Sequence, residues 1–321
     1  LYNFANYKHC TLKIYHHLDQ FTRLENAVVT TGTFDGVHIG HKKILHKLRE
    51  VAHEINGESV LLTFHPHPRQ ILQPDMSVKL ITGLQEKISL LEQSGLDHLI
   101  IHPFTKDFSR TTSQEFIRNI LVERIGARKL VIGYDHHFGR NREGSFTHLK
   151  AHGPTYGFEV SEIPAQDIDA VAVSSTKIRA ALEAGDIRTA NQYLGHAYRV
   201  LGEVVSGQQL GRQLGYPTAN IAPESADKLF PADGVYAVQV FFEGVEKSLP
   251  GMCNIGCRPT VSGRDRTLEV FLFDFESDLY GQILEVHFVD RIREEQKFPD
   301  LEALKARLQA DEQAARKLLG I

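Results

Sequence analysis

A doubly wound α/β sheet followed by an all-β unit is the architecture that this 321-residue sequence predicts, on three observations. Through the first half, short apolar runs rich in β-branched residues alternate with stretches of helical periodicity, the pattern of a parallel sheet covered by helices. From about residue 199, strand-like runs follow one another closely between Gly, Pro and Asp turns, which reads as a barrel or a sandwich. The length exceeds what one core usually organises, and at roughly 100–200 residues per domain it implies two. The boundary falls near Gly185 and divides the chain into 1–184 and 185–321.

The first predicted strand is Ala27-Val28-Val29-Thr30-Thr31, and Ile44, Leu48, Val51 and Ile55 then recur at the period of a helix. A strand over 59–64, a helix around Leu84, Ile88 and Leu91 and a strand over 99–101 follow. Next come a helix around Phe116, Ile120 and Leu121 and strands over 129–133 and 158–160. Two short helices, 177–184 and 187–194, are broken at Gly185-Asp186. The second half holds strands over 198–205, 234–242, 268–273 and 283–289. It ends in a helix from about Asp300 with Leu301, Leu304, Leu308 and Leu318 as its apolar positions.

A formal charge of −4 with no basic domain argues against nucleic acid as a partner. No run of apolar residues is long enough to span a bilayer, so no membrane partner is expected. Cys10, Cys253 and Cys257 form neither a CxxC nor an even framework, which predicts free thiols and a cytoplasmic location. No Cys/His set has zinc-site spacing. All histidines but His196 and His287 precede residue 185, so the halves are expected to differ in chemistry.

The segment Gly32-Thr33-Phe34-Asp35-Gly36-Val37-His38-Ile39-Gly40-His41 falls between the first strand and the first helix. Glycines there let backbone approach an anion closely, and free amides at a helix start point at it. His38 and His41, three apart, share a face of the first turn. Ser174-Ser175-Thr176-Lys177-Ile178-Arg179 is a second candidate phosphate element, with hydroxyls to cap a helix and two cations. The loop from Gly133 to Gly144 is a third. In the second half, Thr218 and Asn220 are two apart, so on a strand they share a face, and their oxygens suit Mg²⁺. No P-loop occurs.

These residues resemble the nucleotidyltransferase superfamily, whose signature segments are Gly-x-Phe-Asp-x-x-His-x-Gly-His and Ser-Ser-Thr-x-Ile-Arg. With Phe64-His65-Pro66-His67-Pro68 and the 134–144 loop added, the first half is similar to the flavin adenylyltransferase module of prokaryotic FAD synthetases. The resemblance implies a Rossmann-like sheet of nucleotidyltransferase type. It implies that His38 and His41 contact ATP phosphates in the transition state, within an ATP site including Gly32, Phe34, Asp35, Gly36 and Gly40. Ser174, Ser175, Thr176 and Arg179 would hold the phosphates that leave as pyrophosphate, and Phe64, His65, Pro66, Asp135 and Phe138 would face the flavin.

The string Gly207-x3-Gly211-Arg212-Gln213-Leu214-Gly215-Tyr216-Pro217-Thr218-Ala219-Asn220-Ile221 resembles the riboflavin kinase signature, and the resemblance runs through Gly251–Thr260, Asp278-Leu279-Tyr280-Gly281 and Arg291-Ile292-Arg293. It implies a small antiparallel β-barrel with a terminal helix. ATP would lie on Gly207, Gly211, Arg212, Gly215 and Pro217, with Mg²⁺ on Thr218 and Asn220. Glu269 would be the base for the riboflavin 5′-hydroxyl, with Asn254 and Arg291 on the flavin. The expected partners are riboflavin, FMN and ATP. The rivals are a nucleotidyltransferase for another phosphorylated metabolite with an accessory barrel, and an inactive flavin-binding or flavin-sensing protein.

Overall fold

The computed structural model describes residues 11–76, 78–133, 137–163, 173–207, 215–245, 247–260 and 263–321. The chain forms two compact units, one of Leu1–Val78 and Lys87–Val173, the other of Lys79–Glu86 and Ser174–Ile321.

The first unit is built on six parallel strands: β1 (Lys13–Tyr15), β2 (Ala27–Thr31), β3 (Glu58–His65), β4 (His98–Pro103), β5 (Ala127–Gly133) and β6 (Glu159–Ile163). Their order is β1-β4-β3-β2-β5-β6. Every residue of β2 is buried, as expected for a strand covered on both faces. From β2 the chain proceeds outward to β3 and β4, then returns to the other side of β2 for β5 and β6. The order therefore reverses beside β2, and open α/β sheets bind ligands beyond the strand ends at such a point. The segment directly after β2 is the 32–41 turn.

The core packs Val29, Leu62, Ile100, Leu130 and Ile132 from the sheet against Phe116, Ile117, Leu121 and Leu149 from the helices. The helix Ile39–Glu54 buries Leu45, Leu48, Val51 and Ala52, a stripe one residue away from Ile44 at its start. Strand β1, which periodicity does not reveal, is three residues long and among the described residues pairs only with β4.

The second unit is a closed antiparallel barrel of β7 (Tyr198–Val205), β8 (Ala219–Pro223), β9 (Gly234–Phe242), β10 (Leu249–Thr260), β11 (Gly263–Leu272) and β12 (Ile283–Glu294), in the order β10-β11-β8-β7-β12-β9. β12 is the most irregular strand of the barrel among the described residues. This twelve-residue strand pairs with both β7 and β9, and its register shifts twice, between Phe288 and Asp290 and between Arg291 and Arg293. Such irregularities bend a strand enough to turn a sheet back on itself. The terminal helix Leu301–Leu319 starts at Asp300, whose carboxylate accepts from Ala303 N–H at 2.8 Å. It packs Leu308, Ala315 and Leu318 against Val235, Met252 and Phe273. The break at Gly185-Asp186 is built from a left-handed Gly185 (φ 77°) and Asp186, which caps Ile187–Leu194.

Lys79–Glu86 joins this unit through a buried polar cluster. Lys228 and Glu86 are each about 2% exposed at their side chains and form an ion pair. Glu86 also accepts from Leu201 N–H (2.8 Å) and Gly83 N–H (2.9 Å), while Lys228 donates to the Ile81 carbonyl (2.7 Å). Removing one member of a buried pair leaves the other uncompensated, at a cost of about 3–5 kcal/mol. Lys228→Ala is thus expected to lower the unfolding free energy of this unit by about that amount in urea titrations. A loss under about 1 kcal/mol would contradict the account.

Among the described residues no helix is long and apolar enough to cross a membrane.

Candidate active sites

In the first unit the 32–41 turn is held in a conformation that most side chains avoid. Phe34 (φ 48°) and Val37 (φ 39°) are both left-handed, as is Gly36 (φ 86°). For a β-branched residue that is an outlier costing on the order of 1–3 kcal/mol, and it persists only where the surroundings impose it. The surroundings are burial: Phe34 is 3% exposed and Val37 1%. The turn is also tied to the sheet, with Gly32 N–H donating to the Leu62 carbonyl at 3.1 Å. The Thr33 carbonyl accepts from Thr63 Oγ1 (3.2 Å) and from Lys87 Nζ (3.0 Å).

His38 is the N-cap of the helix Ile39–Glu54, its Nδ1 accepting from His41 N–H at 3.3 Å. A neutral imidazole that accepts at Nδ1 carries its proton at Nε2. The His41 ring stacks on His38 (centroids 3.6 Å apart, 15° between planes) and on Phe34 (4.5 Å, 27°). Burial, then the charges of His38 and Lys87, holds the His41 pKa well below its ordinary value. His41 is therefore a neutral imidazole, and its buried Nδ1 meets no hydrogen-bond partner among the described residues. Gly40 is buried in the first turn of the same helix, and Asp35 is 3% exposed.

Lys87 is the member of this cluster that no motif announces. It is 7% exposed; burial lowers its pKa and the Asp35 carboxylate opposes the shift. The available signal was positional: Lys87 lies three residues after Leu84 and four before Leu91, inside the apolar stripe of its own helix, where a solvated charge does not belong.

Beyond β3 and β4 lies an aromatic floor. Phe64 packs on Phe104 (5.6 Å) and Phe108 (5.5 Å), and Phe138 on Phe116 (5.4 Å). Phe104 and Phe108 belong to no motif, and their one signal in the sequence is a Phe-x3-Phe directly after a strand. Phe138 is 8% exposed and exchanges two backbone hydrogen bonds with Gly144. A Cβ at Gly144 would stand 2.5 Å from the Phe138 ring, so that position needs glycine. His65 and Pro66 end β3, and the His65 pKa is lowered by desolvation and then by the Lys87 charge. Asp135 lies outside the described residues.

The 174–179 segment falls in the second unit. Ser174 caps the helix Ser175–Ala184, accepting from Lys177 N–H at 3.3 Å, with Ser175 half-buried and Thr176 exposed in the first turn. Arg179 is anchored by its Nε on the Lys79 carbonyl at 3.0 Å.

On the barrel, strand register assembles the remaining residues. Glu269 on β11 stands opposite Asn220 on β8 and opposite Asn254 on β10. Directly opposed residues project to the same face, so the three side chains share a surface. Leu268 and Val270 are buried, leaving the half-buried Glu269 on the other face. Thr218 Oγ1 donates to Glu269 Oε2 at 3.3 Å. Gly207 runs across Asn220: a Cβ there would lie 2.1 Å from the Asn220 amide nitrogen. Gly215 is left-handed (φ 85°) and exposed Pro217 leads into the strand. Burial and then the Glu269 charge push the Cys253 thiol well above its ordinary pKa.

Arg291 donates to backbone through Nη2 on the Asp233 carbonyl at 2.6 Å and Nη1 on the Ala184 carbonyl at 3.4 Å, at the end of the helix Ser175–Ala184, while its buried Nε meets no partner among the described residues. Gly211 and Arg212 lie outside the described residues. Among the described residues no group of three or more His, Cys, Asp or Glu side chains could hold a metal ion.

The model of the FAD synthetase family matches residues 20–177, and that of the riboflavin kinase family residues 194–319. A bifunctional riboflavin kinase/FMN adenylyltransferase from Escherichia coli K12 is 39% identical over 306 residues, covering 95% of this chain and 96% of its own. One so described from Pseudomonas fluorescens is 41% identical over 293 residues, 91% of this chain and 93% of its own. A crystal structure described as a macrolide-efflux protein from Streptococcus pneumoniae superposes with a TM-score of 0.85 at 30% identity, covering 95% of this chain and 99% of that one.

Proposed function

The chain belongs to the family of bifunctional riboflavin kinase/FMN adenylyltransferases, and from that premise we propose that it makes FMN from riboflavin on the barrel and FAD from FMN at the 32–41 turn, with ATP as co-substrate of both steps. Residues 1–184 carry the adenylyl transfer and 185–321 the kinase reaction. The reading follows the family rather than the description of the Streptococcus pneumoniae structure, because the residues at both sites are those of the family motifs.

The observation that supports it best is that one chain holds two chemically different clusters, a neutral His41 stacked on His38 at a sheet's switch point and a carboxylate among amides and a hydroxyl on a barrel. In adenylyl transfer an oxygen of the FMN phosphate attacks the α-phosphorus of ATP and pyrophosphate leaves. Donors fixed at a helix start stabilise the charge on the equatorial oxygens with no covalent intermediate. His38, through Nε2, and the uncharged His41 serve there as N–H donors, and the Phe64–Phe108 floor suits a planar flavin ring. In the kinase step Glu269 takes the proton of the riboflavin 5′-hydroxyl as it attacks the γ-phosphorus of ATP, whose bond to the β–γ bridging oxygen breaks to release ADP.

Thr218 offers a hydroxyl, Asn220 a carboxamide oxygen and Glu269 a carboxylate, oxygen donors fitted to Mg²⁺ shared with substrate phosphates. Thr218 and Asn220 would hold it, and when bound it neutralises charge on those phosphates. The reading needs no partner beyond these small molecules, and a cytoplasmic location goes with it.

The test is purified protein incubated with riboflavin, ATP and MgCl₂, with flavins resolved by chromatography over time. FMN should rise first and FAD follow, with pyrophosphate released in step with FAD. No flavin conversion would overturn the proposal.

A further inference from the structure

Lys87 carries more donors than the fold uses. Its ammonium has three N–H groups, and among the described residues the Thr33 carbonyl is the one acceptor it meets, at 3.0 Å. A buried donor left without a partner is costly, and one that persists calls for an explanation. Bracing Thr33 does not supply it, because Thr63 Oγ1 already bonds the same carbonyl and a neutral side chain would brace it at far smaller desolvation cost. The position is informative as well. Its bond to Thr33 places the cation at the 32–41 turn, and its charge acts both on His41 there and on His65 at the end of β3.

We propose that Lys87 is a catalytic cation of adenylyl transfer, its spare N–H donors taking non-bridging oxygens of the phosphoryl group in transit at the 32–41 turn. The inference rests on the adenylyltransferase reading above. In that step an oxygen of the FMN phosphate bonds to the α-phosphorus, the bond from that phosphorus to the oxygen bridging it to the β-phosphorus breaks, and pyrophosphate departs with the electron pair. Lys87 gives up no proton. It offsets the repulsion of two phosphates brought together, and in a site closed to water a fixed charge does so with little reorganisation.

The experiment compares wild type with Lys87→Met, measuring initial rates of FAD formation from FMN with ATP and FMN each varied. The expected result is a kcat lower by about 100-fold with both KM values within about 3-fold of wild type. Riboflavin phosphorylation and the melting temperature should be unchanged. An unchanged kcat, or a loss confined to KM, overturns the proposal. Should the methionine variant not fold, Lys87→Ala assayed with added propylammonium decides: recovery of rate with amine supports the role, and a folded variant that amine does not rescue refutes it. Wild-type protein that makes no FAD would instead overturn the adenylyltransferase reading itself, which separates the two failures.

Discussion

Glu269→Gln stops FMN formation while leaving supplied FMN to be converted to FAD at the wild-type rate. Glutamine has the size of glutamate and keeps an oxygen for Thr218 Oγ1, so the hydrogen bond at 3.3 Å and the pairing with Asn220 and Asn254 survive. What disappears is the basic oxygen. Positioned general bases contribute roughly 10²–10⁴-fold, and the loss should fall in that range on kcat for riboflavin. Because Glu269 and the 32–41 turn belong to different compact units, the second reaction has no cause to change. The check is a pair of assays on one preparation, started from riboflavin and from FMN. Equal loss in both, with melting unchanged, would remove Glu269 from the role of base.

His41→Ala has the converse effect, lowering FAD formation by about 10²–10³-fold and sparing FMN formation. The magnitude is that of one donor removed from a site where charge develops. A companion measurement tests the protonation state on which the argument relies. Since burial and neighbouring charge hold the His41 pKa well below the ordinary 6.5, lowering the pH through 6.5 should leave its NMR ring resonances in place. The sign follows from the cause: desolvation penalises the charged form, so neutrality extends to more acid solution than for a free imidazole. A titration at 6.5 would mean that the ring is exposed, and the donor role would then need another geometry.

How far the sequence spoke for itself depended on whether a signal was local. The strand Ala27–Thr31 and the helix Ile39–Glu54 announce themselves because burial imposes a period on adjacent residues, and the 32–41 turn stands out because its glycines and histidines are neighbours in the chain. Lys87 joins that turn from a helix more than forty positions later, as the side chain of an otherwise ordinary amphipathic segment, so nothing beside it in sequence marks its purpose. Glu86 and Lys228, separated by 142 residues, show the same limit more severely. Closure of the barrel was equally hidden: barrel and sandwich share the alternating pattern of their strands, and the difference lies in which strands pair across long stretches of chain. Phe104 and Phe108 differ, since they were adjacent and legible but look like any core aromatics until Phe64 is found packed on them.

The cap at His38 sets a trade between robustness and chemistry. Histidine is not among the residues that best close a helix start, and asparagine, aspartate or serine would do it better. None of them presents an imidazole N–H on the far side of the capping atom. One ring nitrogen is committed to holding the helix Ile39–Glu54 in place, and that commitment leaves the other nitrogen to carry the proton. A designer who ranked variants of this position by thermal stability alone would be led steadily toward a sturdier protein with an empty-handed site.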